Sequence, residues 1–132
     1  MTRFEWRRTS PDEKLIFVAE CVGWKKDPSY PKGTDGNHPW TNPSSDYWVY
    51  DVWELPDYLN DLNAIVQAEI DCHMFTSWDT TEVWIKNLKL AVIGRDTYSE
   101  PDWSFVLQAT AAQRCEALIV TLEDISIPKE NK

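Results

Sequence analysis

With 132 residues, 42% of them apolar, the chain is the size of one domain and can bury a core without disulfides or metal. Its 22 acidic and 13 basic residues leave a net charge of −9. That charge repels nucleic-acid phosphates over the whole molecule and excludes a duplex-binding surface, though not a local basic pocket or a basic protein partner.

Residues 1–9 read as a polar, flexible leader. They lack the continuous apolar segment of a secretory signal. Ser10-Pro11-Asp12-Glu13 reads as a helix start: a capping serine, a proline at the first helical position and a capping-box glutamate. Leu15, Val18, Ala19 and Val22 then mark one buried stripe, and Gly23 ends the helix. Residues 25–46 form a long loop rich in proline and glycine. Its Tyr30, His38 and Trp40 argue for order.

Tyr47 to Trp53, YWVYDVW, reads as a strand closed by Pro56, with a helix starting at Ser44 as the alternative. A second helix is expected from Asn60 or Asp61 to Cys72, with Leu62, Ile65, Ala68 and Cys72 on one face. A third is expected from Asp79 to Ile93, with Asp79 and Glu82 at capping-box spacing, Trp84, Ile85, Leu88 and Val92 as its stripe, and Gly94 as its stop. Trp103 to Gln108 reads as a strand, and Thr110 with Gln113 opens a last helix to about residue 123. There Cys115, Leu118, Ile119 and Leu122 form the apolar stripe, and Arg114, Glu116 and Glu123 lie off it. The expected domain spans 10–124, with a frayed tail at 125–132. About four one-faced helices and a small central sheet make an α/β (α+β) fold, a compact three-layer α-β-α sandwich.

The longest apolar runs, such as Leu15 to Ala19, are too short to cross a bilayer, so neither a membrane partner nor a secreted location is expected. The three cysteines are far apart and lack a C-x-x-C pair, which argues against structural zinc. Cys21 and Cys115 fall on apolar helix faces. With four glycines and two histidines, the sequence holds no phosphate cradle, nucleophile elbow or poised histidine pair. The carboxylates Asp57/Asp61 and Glu69/Asp71 read as solvated helix starts and faces. No catalytic residue, metal or cofactor is assigned.

Aromatic residues beside basic ones are the constellation with chemical logic. Eight tryptophans is a high count. They can build a core or offer stacking plates. Trp24, Lys25, Trp40, Tyr47, Trp48 and Arg95, with Lys26 beside them, form a candidate ligand site around the long loop: plates for a base and cations for a phosphate.

Leu55-Pro56-Asp57-Tyr58-Leu59-Asn60-Asp61-Leu62-Asn63-Ala64, followed by Ala68-Glu69, resembles the PDYLNDLNA…AE segment of a group of small bacteriophage proteins. Ala109-Thr110-Ala111-Ala112-Gln113-Arg114-Cys115-Glu116-Ala117 resembles their ATAAQRAEA helix, with Cys115 where alanine is usual. Ala19-Glu20-Cys21-Val22-Gly23-Trp24 is similar to their AEAxGW start. The group resembles the phage ABA-sandwich domain family. The resemblance implies helices on both sides of a sheet and an accessory protein in the cytoplasm of an infected bacterial host, and it carries no catalytic signature. Two functions follow as expectations. One is sequestration of a small nucleotide-like signal of antiviral defence by a homo-oligomer whose subunits enclose the ligand. The other is an acidic inhibitor or adaptor that binds a host or phage protein.

Overall fold

The structure, a computed structural model, describes residues 1–94 and 104–126. Helix α1 is Arg3–Arg8 and α2 is Pro11–Val22. Three two-residue strands follow: β1 Lys25–Lys26, β2 Trp40–Thr41 and β3 Trp48–Val49. A 3-10 turn at Val52–Glu54 leads to α3 Leu62–Asp71, α4 Trp78–Ile93, α5 Ser104–Gln108 and α6 Ala111–Ser126. The class is α+β, with six α-helices and one three-stranded antiparallel sheet among the described residues.

Capping chemistry sets the helix ends. The Ser10 side chain accepts from the Glu13 amide at 3.3 Å, and Gly23 turns the chain out of α2 at φ +118°, a left-handed conformation that suits glycine. Thr110 and Gln113 form the full reciprocal box at 2.9 and 3.1 Å. Asp61, not Asn60, caps α3, accepting from Asn63 N at 3.0 Å. The cap of α4 lies two residues before its Asp79 signal. Ser77 accepts from Thr80 N at 3.3 Å and wins the cap.

Several expectations are corrected. The leader contains α1, held by a Thr2–Glu5 capping box, and its Trp6 is buried. The segment read as a strand at Trp103 to Gln108 is helical over Ser104–Gln108, while Trp103 lies outside the described residues. A half-buried strand would bury Phe105 and Leu107 together. Instead Phe105 packs in the core and Leu107 is 88% exposed. The strand expected at Tyr47 to Trp53 shortens to two residues before the 3-10 turn. Leu62 is half exposed, so α3 buries Ile65, Ala68 and Glu69 instead. Cys21 is exposed and Cys115 is buried. Residues 127–132 of the expected tail lie outside the described residues.

α6 is the centre of the helical part. It packs most extensively on α4 and also touches α3 and α1, and α5 lies against α4. It is buried all round from Arg114 through Thr121, including Arg114 and Glu116, two of the three charged residues placed off its stripe. Pairing makes that burial tolerable. The Arg114 guanidinium donates to Glu69 Oε1 from Nη2 at 2.7 Å and from Nε at 3.2 Å, and Trp84 Nε1 donates to Glu69 Oε2 at 3.1 Å. The guanidinium also stacks over the Trp84 ring, 5.3 Å from its centroid. Burial pushes the Glu69 carboxyl up, outweighing the pull of Arg114. Glu116 receives both Arg3 and Arg7, clasping α1 to α6. Asn87 donates to Thr121 Oγ1 and Asp124 and accepts from Arg3, joining α4 to the same network.

Candidate functional site

The sheet sorts its side chains by cross-strand register. Lys25 pairs with Thr41 and Thr41 with Trp48. Lys26 pairs with Trp40 and Trp40 with Val49. Residues paired across a ladder share a face, and neighbours along a strand point to opposite faces. One face therefore carries Lys26, Trp40 and Val49, and it is the core face, since Trp40 and Val49 are buried. The Lys26 ammonium lies over the Trp40 ring, 5.5 Å from its centroid. The outer face carries Lys25, Thr41 and Trp48.

The long loop folds over this outer face and is ordered by backbone bonds. Asp27 N donates to Pro39 O at 2.9 Å and Gly33 N to Asn37 O at 2.8 Å. His38 Nδ1 lies 3.0 Å from Tyr30 O. Gly33 is required by close approach: a β-carbon there would stand 2.8 Å from the Tyr50 ring, whose hydroxyl donates to Pro31 O at 3.0 Å. The expectation that this loop is ordered is met, and the order brings Tyr30 onto Trp48. Their ring centroids are 5.1 Å apart and tilted by 34°.

Between the loop and the outer face lies a cavity of about 320 Å³. Tyr30, Tyr47 and Trp48 supply its aromatic wall, with Tyr47 and Trp48 each about half exposed. Lys25 is the single cation in the lining, and Asp27 and Asp46 are its two carboxylates. Asp27 is fixed by its own turn. Its Oδ1 accepts from Ser29 N at 2.9 Å and Ser29 Oγ at 2.5 Å, and its Oδ2 from Thr41 Oγ1 at 3.3 Å. The bonds from Ser29 hold its carboxyl below the usual carboxylate range, so it is ionised at neutral pH. Asp46 is exposed and makes no hydrogen bond or ion pair among the described residues. The Ser45 hydroxyl in the same wall is buried and unpaired.

Of the residues singled out from sequence, the structure brings Lys25, Tyr47 and Trp48 together. Trp24 stands behind them: it is buried, its ring centroid is 5.5 Å from that of Tyr47, and its Nε1 donates to Tyr58 Oη at 3.1 Å. Burial pushes the Tyr58 hydroxyl up to about 12. Trp24 also edges a more open depression of about 440 Å³ with Lys25, Glu20 and Asn42. Trp40 belongs to the opposite face and is corrected to a core residue. Arg95 lies outside the described residues. Tyr30, Asp27 and Asp46 were missed as site residues. No strand pattern marks Asp27, which follows the end of β1.

No family model, curated protein or solved structure matches the chain. Among the described residues, no cluster of three His, Cys, Asp or Glu side chains is placed to hold a metal, and no helix is long and apolar enough to cross a membrane.

Proposed function

We propose that this chain is a non-catalytic binding protein whose site is the outer sheet face beneath the long loop. The observation that carries this reading is Trp48, 50% exposed and stacked with Tyr30 at the mouth of a cavity. An indole that only filled the core would stand with Trp24 and Trp40. The lining favours a protein ligand over a phosphate-bearing one, because two carboxylates oppose a single lysine there. On this reading the protein is an acidic inhibitor or adaptor of a host or phage protein.

The setting belongs to the same proposal: a bacteriophage accessory protein acting in the cytoplasm of an infected bacterial host. So does membership of the ABA-sandwich group with its three-layer arrangement, which is supported by the capping roles of Asp61, Thr110 and Gln113 within the shared motifs. Sequestration of a nucleotide-like defence signal is the second reading, favoured by the stacked aromatic wall. It places the ligand's base on Trp48 and pairs naturally with a homo-oligomer that encloses the rest.

The test is a titration of indole emission in the wild type and in Trp48→Ala, using an arginine-rich peptide, a cyclic dinucleotide and cyclic ADP-ribose. A saturable change with one of them, weakened about tenfold or more by Trp48→Ala, is expected. Identical responses of the two proteins to every ligand would remove this face as the binding site.

A further inference from the structure

Resting on the reading of the outer face as a binding site, we infer that its cavity recognises an organic cation, the guanidinium or ammonium of a basic side chain carried by a protein partner. Three features converge on that chemistry. Tyr30, Tyr47 and Trp48 line it with aromatic rings, whose negative quadrupole attracts cations. Asp27 is held ionised by Ser29 and Thr41, so it supplies a fixed negative field with its lone pairs already partly engaged. Asp46 is left without a protein partner among the described residues, so its oxygens are free to accept the hydrogen bonds of the incoming group.

A phosphate in the same cavity would lie against both carboxylates with only Lys25 to offset them. Lys26, the other cation of the strand, is turned to the core face over Trp40. The net charge of −9 adds a long-range pull on a basic partner and none on a nucleotide. The two chemistries therefore give Lys25 opposite roles. It repels an organic cation and attracts a phosphate.

The experiment uses the full chain with acetyl-arginine amide, its uncharged counterpart acetyl-citrulline amide, and AMP, following the Trp48 indole N–H resonance. Acetyl-arginine amide is expected to bind saturably, on the order of millimolar for so small a probe. The citrulline compound is expected to bind about tenfold more weakly. Asp46→Asn should weaken arginine binding by about threefold to tenfold, and Lys25→Ala should strengthen it by a similar factor. Both residues are exposed, so these variants should keep the fold.

Equal affinity for the arginine and citrulline compounds, or weaker arginine binding by Lys25→Ala, overturns the inference. AMP binding more tightly than arginine, and losing affinity in Lys25→Ala, also overturns it while leaving the face as a binding site. No response to any probe overturns both. An arginine-centred peptide should bind at least as well as the amide. A cavity that takes the free amide and refuses the peptide excludes a protein side chain as its occupant.

Discussion

The helical half and the sheet half of this molecule treat charge in opposite ways. Around α6, Glu69 and Glu116 are taken out of water and matched with Arg114, Arg3 and Arg7. On the outer sheet face, Asp46 and Lys25 stand in water without an ion pair among the described residues, beside a half-exposed indole. Removing Glu69 or Arg114 from the first region strands its partner in a poorly polarisable interior. Removing one from the second region strands nothing. The difference separates residues that hold the fold from residues free to meet something else.

The largest expected effect breaks the helical side. Glu69→Ala leaves the Arg114 guanidinium buried without its carboxylate and should cost about 3–5 kcal/mol in urea melts. A shift below about 1 kcal/mol would mean that water reaches this pair. The two sheet faces give the next contrast. Trp40→Ala should cost roughly 3–5 kcal/mol as a core truncation, and Trp48→Ala only about 1 kcal/mol, through the loss of its stacking on Tyr30. Equal midpoints would erase the distinction between the faces.

A pH titration sharpens the comparison further. Burial pushes the Cys72 thiol from 9.0 to about 12, the Tyr58 hydroxyl from 10.0 to about 12, and the Cys115 thiol upward as well. The unfolded chain therefore releases these protons first as pH rises. Stability from burying the neutral groups is fully present below about pH 9 and falls toward pH 12. Tyr58→Phe should flatten part of that fall, seen as a smaller drop in melting temperature between pH 9 and 11. An unchanged slope would show that the phenol titrates freely. The smallest effect is local: Thr110→Ala should cost about 1 kcal/mol by removing the α6 cap, and an unmoved denaturation midpoint would show that the Gln113 side of the box suffices.

Local chemistry was legible in the sequence, and chemistry across distance was not. Ser10, Gly23 and the Thr110–Gln113 box could be read because each acts on backbone within a few residues. Glu69 reads as solvated and Arg114 as off the apolar stripe, because nothing in either segment announces a partner 45 residues away. The helix at Ser104–Gln108 was misread because its run of β-formers is too short for periodicity to decide, and docking on α4 settles it. The tryptophans could not be sorted either. With two-residue strands, the register that puts Trp40 inside and Trp48 outside is fixed by pairing between segments, not by any pattern along one of them.

The clasp between α1 and α6 also bears on how the chain assembles. Arg3 and Arg7 reach Glu116 over sequence separations of 113 and 109 residues. On a ribosome, α1 therefore emerges long before α6, and its Trp6 stands without that part of its surroundings in the interval. Contacts of such separation close late and slow the final step of folding. Nascent chains that stop before α6 should leave Trp6 open to chaperones and proteases, and chains that include α6 should protect it.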